Sequence, residues 1–371
     1  MDKSLQVWKA LLNNTSKEDL SSLVNLLAKI EFVELYTSNI CQLHCKHCIM
    51  GDIDPKQQPL SLDEWLRVID QFLNLGVKNF HLAGKEPFLE KNTFEILSYL
   101  SKIKSNKDIR YGLITNGLAL NSNNINLLEK YDVDYLDFSL DGMKTGHEYL
   151  RGKNTFNKTI KAIKLSLNVL GWRKTFVSSA VYKDNINEVL EMIKTSNEFG
   201  ARQFFIQPMV PYGRAIQLHD KIIDWEEFKA LIISCKIALE NQFEKGIGII
   251  VYLPYSFAKK AVEESFDPVI ETIDRLSNNG SPVISIGKSK MKLRLGLIPS
   301  AYWQSVVVTH DGYYTGACEM RSVQNYDEIS VGNVRNATVE GLYSESIKSI
   351  SNLYEILASY EEWAKIHLES V

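Results

Sequence analysis

The residues with the clearest chemical potential are Cys41-Gln-Leu-His-Cys45-Lys-His-Cys48, three thiols within eight positions of a 371-residue chain that holds five cysteines. The opening residues, MDKSLQVWKALLNN, lack the basic start, unbroken apolar run and small-residue cleavage site of a secretion signal, so these thiols are not expected to form a disulfide framework. Clustered thiolates in a reducing compartment hold metal. Three thiolates this closely spaced can each bind one iron of a cubane [4Fe–4S] cluster and leave the fourth iron open to a ligand. The same cysteines with His44 or His47 can instead hold a structural zinc, because thiolate and imidazole both suit that ion.

These thiols need elements to position them. From residue 31 the chain alternates between short β-branched or aromatic runs and helical stretches, the pattern of βα units around a parallel sheet. Strands are predicted over 31–37, 78–83, 110–115, 134–140, 174–181 and 203–208. Such units build an incomplete (β/α) barrel with an open side. The cysteine loop follows the first strand, at the C-terminal end where barrels place their active sites. Ser61-Leu-Asp-Glu64 and Asn92-Thr-Phe-Glu95 each set a capping side chain three residues before a Glu and predict helix starts.

The remaining segments divide as follows. Leu5, Trp8, Leu11 and Leu12, then Leu20, Leu23, Leu27 and Ile30, recur at helical spacing and predict a helical extension over 1–30. The barrel core is expected over 31–245, ending in an apolar helix near 225–243 that takes Cys235 as a small core residue. A connecting strand and helix follow over 246–282, a smaller β-rich domain over 283–345 and a terminal helix over 346–371. Within 283–345, SVVVTHDGYYTGACEM predicts a hairpin turning at Asp311-Gly312.

The cysteine loop resembles the C-x3-C-x2-C pattern of radical S-adenosylmethionine (SAM) enzymes, which that family carries after the first strand of its barrel. Here His47 stands where the family usually has Tyr or Phe. Later strand ends extend the resemblance. His81-Leu-Ala-Gly-Lys-Glu-Pro87 is similar to the family's GGEP segment, which implies that Ala83, Gly84 and Glu86 meet the SAM amine. Ile114-Thr-Asn-Gly117 and Phe138-Ser-Leu-Asp-Gly142 imply SAM contacts at Thr115, Asn116 and Ser139. His147-Glu-Tyr-Leu-Arg-Gly152 implies that Arg151 reaches the SAM carboxylate, for which a guanidinium is suited. Ser178, Ser179 and Asn185 match positions that touch ribose or adenine, and Gln207 opens a stretch running to Gly213-Arg-Ala215 that resembles the P-x-GRA segment of members with a SPASM or twitch domain.

The resemblance implies an α/β fold, a partial (β/α)6 barrel followed by a small α+β SPASM/twitch-like domain over 283–345. That domain usually holds auxiliary clusters on several cysteines; here it has Cys318, read as a buried remnant or as a hydrogen-atom donor to a substrate radical. One [4Fe–4S] cluster on Cys41, Cys45 and Cys48 is therefore expected, with SAM cleaved reductively to a 5′-deoxyadenosyl radical that takes a hydrogen atom from a substrate C–H bond. A ribosomally made peptide, cross-linked or epimerised, is the expected substrate. A sugar, aminoglycoside or other small molecule is the alternative, and a zinc-stabilised binding protein is the reading of another class. A flavodoxin or ferredoxin is the expected reductant. A net charge of −3 gives no basic surface for nucleic acid or an anionic membrane, and 45 % hydrophobic with 23 % charged residues fits a cytoplasmic globular protein.

Overall fold

The computed structural model describes residues 32–51, 54–201, 203–211, 213–241, 246–269, 283–286, 288–295, 305–315 and 330–349, with positions 30, 243, 271 and 327. The expected helices over 1–30 and beyond 349, and Cys318, lie outside the described residues.

The alternation in the sequence forms a parallel sheet. Strands β1 (Phe32–Ser38), β2 (Asn79–Gly84), β3 (Arg110–Thr115), β4 (Tyr135–Ser139), β5 (Thr175–Val181) and β6 (Gln203–Pro208) each pair in parallel with the next. Helices α1 (Leu62–Asn74), α2 (Asn92–Lys104), α3 (Ser122–Lys130), α4 (Lys144–Arg151), α5 (Phe156–Val169) and α6 (Val189–Phe199) return the chain between them. Alternate strand residues, such as Val33, Phe80, Leu113, Phe138, Val177 and Phe204, are buried in the main core, and α1 contributes Trp65, Val68, Ile69 and Phe72 at helical spacing. The other residues of each strand therefore face away from the helices.

The sheet is curved. Five strand spacings of about 4.8 Å would set β1 and β6 roughly 24 Å apart if it were flat. Yet after β6 the backbone N–H of Arg214 donates to the carbonyl of Cys48, after β1, at 3.1 Å. The strand ends thus converge on the cysteine loop, and the face away from the helices lines a lumen.

The sheet also continues beyond six strands. On one side β7 (Gly248–Leu253) pairs in parallel with β6, β9 (Ser289–Leu295) pairs in parallel with β7, and β8 (Val283–Ile286) is antiparallel to β9. On the other side β10 (Ser305–Val308) pairs in parallel with β1 and turns back through β11 (Tyr313–Thr315) to β12 (Gly332–Asn333). Segment 283–345, expected to fold as a separate unit, places its strands on this one sheet. The reason is that β1 and β7 would otherwise carry unpaired edges, and Met291, Val306 and Val308 add apolar residues to the common core.

The expected turn at Asp311-Gly312 forms: Gly312, at φ +91°, donates its N–H to Thr309 O at 2.9 Å. Cys235 is buried in α7 (Trp225–Asn241), as expected. α8 (Tyr255–Glu263) and α9 (Val339–Ser349) complete the described helices. Ser61 caps α1 with Glu64 answering, as the sequence predicts. The Asn92 cap does not form; Asn92 already lies inside α2, and the Thr93 hydroxyl instead donates to Pro87 O at 2.6 Å, tying the helix start to the preceding turn. None of the described helices is long and apolar enough to cross a membrane.

Candidate active site

The cysteine loop is fastened from several sides. Cys45 is buried, while Cys41 and Cys48 are partly exposed. Cys41 Sγ accepts from the N–H of Leu43 at 3.3 Å and from Asn116 Nδ2 at 3.6 Å. Lys46 N–H donates to Leu150 O on α4 at 2.8 Å, and its ammonium lies 3.6 Å from the centre of the Tyr149 ring. Arg214 Nε donates to Cys45 O at 2.8 Å, so the segment after β6 grips two cysteine carbonyls. That grip requires Gly213: at φ +56°, a Cβ there would lie 2.5 Å from both Cys48 O and Ile49 O. Burial raises the Cys41 thiol and pushes Cys45 up to about 11, the latter opposed by the charge of Arg151. Thiols in such a place become thiolates when a metal centre supplies compensating charge.

The ends of β2 and β3 brace the loop through a single carboxylate. Gly84, at φ +121°, lets the backbone approach Ser38, whose carbonyl would lie 2.6 Å from a Cβ. Glu86 is fully buried and accepts from Thr115 Oγ1 at 2.8 Å, Asn116 N at 3.0 Å and Phe88 N at 3.3 Å. Burial raises its carboxyl despite these bonds. Asn116 in turn receives Gln42 Nε2 at 3.0 Å and donates to Cys41. Glu86 and Asn116, expected as SAM contacts, are thus joined into a relay from β2 to Cys41. Ala83 packs with Tyr36, Met50 and Val307 beneath Cys48 and Ile49.

The end of β4 carries a network whose centre is Asp141. Its carboxylate accepts from Arg151 Nε, from Ala180 N at 2.8 Å, and pairs with His47 Nε2 at 3.1 Å. Burial alone would raise this carboxyl, but Arg151, His47 and the hydrogen bond from His47 hold it well below the ordinary carboxylate range. His147 is held down to about 3, by burial first and then by the Arg151 charge, so it is a neutral ring. Arg151, expected to face the SAM carboxylate, has its Nε engaged by Asp141. Asn185 is also committed to scaffolding: its side chain bonds Asp141 O at 3.1 Å, Ala180 O at 2.9 Å and Tyr182 N at 2.8 Å.

Strand alternation separates the remaining candidates. Ser139 and Gln207 lie on the lumen faces of β4 and β6 and keep some exposure. Ser179 falls between Val177 and Val181 on the helix side of β5 and is buried, whereas Ser178 is on the lumen side. The site residues missed at the sequence level are Asp141, Gly213, Arg214 and Glu188. Glu188 Oε2 accepts from Met143 N at 2.7 Å and occupies space that side chains at Gly142 and Gly146 would fill. Asp141 and the Gly213-Arg214 pair lie inside motifs the sequence displays, but their partners come from distant strand ends.

The donor set suits a cluster better than a single ion. Among the described residues, no three Cys, His, Asp or Glu side chains converge as one metal ion requires. A cubane needs no such convergence, since each thiolate takes its own iron. His47 pairs with Asp141 through Nε2, and its Nδ1 is buried without a hydrogen-bond partner. The sequence pattern of the radical SAM superfamily matches residues 35–196, from β1 into α6. This stretch is a radical SAM domain. The superfamily binds a [4Fe–4S] cluster and SAM.

The chain is 28 % identical over 211 residues to the antilisterial bacteriocin subtilosin biosynthesis protein AlbA of Bacillus subtilis, covering 52 % of this chain and 45 % of that one. It is 27 % identical over 197 residues to the sporulation killing factor maturation protein SkfB of the same species, covering 52 % and 46 %. The chain thus matches about half the length of these curated relatives. Among solved structures, Streptococcus suis SuiB bound to precursor peptide SuiA superposes with a TM-score of 0.66 at 16 % identity, over 91 % of this chain and 69 % of that one. The anSMEcpe structure with bound AdoMet gives 0.59 at 17 % identity, over 85 % and 80 %. At these identities the superpositions speak to the fold, and the radical SAM domain shares it.

Proposed function

We propose that the chain is a radical SAM enzyme whose cluster is held by Cys41, Cys45 and Cys48 and whose substrate is a ribosomally made peptide that it cross-links or epimerises. The observation that carries this reading is the fastening of the three-cysteine loop by a different element on each side: Asn116 after β3 at Cys41, Leu150 of α4 at Lys46, and Arg214 after β6 at Cys45 and Cys48. When bound, cluster and SAM supply one-electron cleavage of SAM to methionine and a 5′-deoxyadenosyl radical, which abstracts hydrogen from a substrate C–H bond. The residues of this chain do the rest. Glu86, Asn116 and Arg214 fix the loop, and Asp141 holds Arg151 beside it and pairs with His47 within it. Ala83, Gly84, Thr115, Ser139 and Gln207 form the rim proposed to receive SAM. A flavodoxin or ferredoxin is the proposed reductant. The peptide assignment draws support from AlbA and SkfB, named for bacteriocin biosynthesis and killing-factor maturation, and from SuiB, whose structure holds a precursor peptide.

Anaerobic reconstitution tests the reading. The wild type is expected to retain about four iron and four sulfide per chain and to release 5′-deoxyadenosine from SAM and dithionite. Cys45→Ala is expected to do neither. Stoichiometric zinc without sulfide in the wild type, or 5′-deoxyadenosine from Cys45→Ala, overturns it.

A further inference from the structure

The lumen has an aromatic floor. Phe32 on β1 meets His81 on β2 edge to face, with ring centres 5.4 Å apart; His81 meets Tyr135 on β4 the same way at 5.4 Å; Tyr135 stacks on Phe176 of β5 at 5.6 Å. The row crosses β3 at Gly112, where a Cβ would lie 2.6 Å from the Tyr135 ring. Glycine is what lets Tyr135 lie over β3 to reach His81.

Directly above this floor stands Asp137. It is two residues beyond Tyr135 on the same face of β4, and so about 7 Å nearer the C-terminal strand ends. Two residues further on is Ser139, at the rim. The backbone partners of Asp137 are Ile114 on β3 and Phe176 on β5. Ser178 hydrogen-bonds the carboxyl, while Oδ1 is sealed from solvent and has no hydrogen-bond partner. No element of the proposed SAM site uses this side chain. The strands beside it bring no ionisable group to its level. On the same face, Tyr135 lies below it, His81 and Glu34 lie further round on β2 and β1, and Arg110 is exposed at the start of β3. A carboxylate oxygen sealed from solvent with no partner is unfavourable, and aromatic faces beside a carboxylate favour a cation.

We propose that the lumen between this floor and the strand ends receives a protonated nitrogen of the substrate, an ammonium or guanidinium on a short alkyl stem, with Asp137 as its counter-charge and Tyr135 and Phe176 as its aromatic wall. Lysine and arginine side chains of a peptide have this chemistry. The inference deepens the proposed function and rests on it for the identity of the occupant as substrate.

The test uses the cluster-loaded, SAM-bound protein and n-butylammonium as probe, with n-butanol as the neutral counterpart, by isothermal titration calorimetry at pH 8.5. The ammonium is expected to bind at least tenfold more tightly than the alcohol, and Asp137→Asn, checked for native circular dichroism and full iron content, is expected to lose that preference. A second measurement uses only the wild type. Burial pushes the Asp137 carboxyl up to about 7, so affinity should fall roughly tenfold between pH 8.5 and pH 6 as the carboxyl takes a proton. Equal binding of ammonium and alcohol overturns the proposal, as does a preference that survives Asp137→Asn. A pH fall that persists in Asp137→Asn assigns the effect to another group and also overturns it. 5′-Deoxyadenosine release by the same wild-type preparation separates the two readings: release without cation binding leaves the radical SAM function standing and removes this pocket.

Discussion

At the scale of single residues, the site turns on charges that balance one another. Asp141 is 1 % exposed, and Arg151 brings it a buried positive charge. Asp141→Asn leaves that guanidinium without its counter-ion, which is expected to destabilise the fold by about 3–5 kcal/mol. Because the folded-state value of Asp141 is depressed, its stabilisation is present above the ordinary value of 3.8 and is lost only as pH falls below it. Urea midpoints of wild type and variant should therefore differ by the same amount at pH 8 and pH 5. A difference under 1 kcal/mol, or one gone by pH 5, would show that the pair does not hold the site. The sequence displays Asp141 within Ser139-Leu-Asp-Gly142 and Arg151 within its own motif, yet nothing in either motif says that they bind each other. His47 is legible as a departure from the usual aromatic residue; that it pairs with Asp141 follows from the curvature of the sheet.

At the scale of elements, the capping box of α1 does more than start a helix. Glu64 bonds Ser61 N at 2.8 Å and also receives Arg335 Nε at 2.6 Å, while Arg335 reaches Pro59 O at 3.0 Å. The box was legible because its partners are three residues apart; Arg335 was not, since it comes from the turn after β12. The hydrogen bond from Arg335, opposed by burial and helped by Ser61, lowers the Glu64 carboxyl from 4.5 to about 2. A depressed carboxylate stabilises above its unfolded value and loses that contribution as pH falls through the folded one. Glu64→Gln is expected to cost about 1 kcal/mol at pH 7, the scale of a partly exposed ion pair, and the difference from wild type should shrink by about half by pH 3. Chemical denaturation across this range measures it, and a difference that grows on acidification contradicts the assignment. Gly112 makes the same point about legibility: in sequence it is a glycine inside a strand, and the Tyr135 ring crossing it belongs to the next strand.

At the scale of the whole molecule, the parallel order β1 to β6 follows from the alternation of apolar strands and amphipathic helices, while the outer strands do not, because β10 pairs with β1 across most of the chain. The strand ends gathered on the cysteine loop belong to β1, β2, β3, β4 and β6, so a ligand bound there is coupled to the stability of the entire sheet. A ligand that binds only the folded state adds about 2.7 kcal/mol at a hundredfold excess over its Kd, which in a chain of this size raises the thermal midpoint by roughly 3 °C. SAM added anaerobically to the cluster-loaded protein is expected to give that shift. In the variant carrying Cys41→Ala, Cys45→Ala and Cys48→Ala, the same SAM concentration should give less than half of it, because the open iron contributes to the affinity. Scanning calorimetry of both proteins with and without SAM decides the matter. Equal shifts would mean that SAM binds away from the cysteine loop, and the convergence of strand ends would then serve the fold alone.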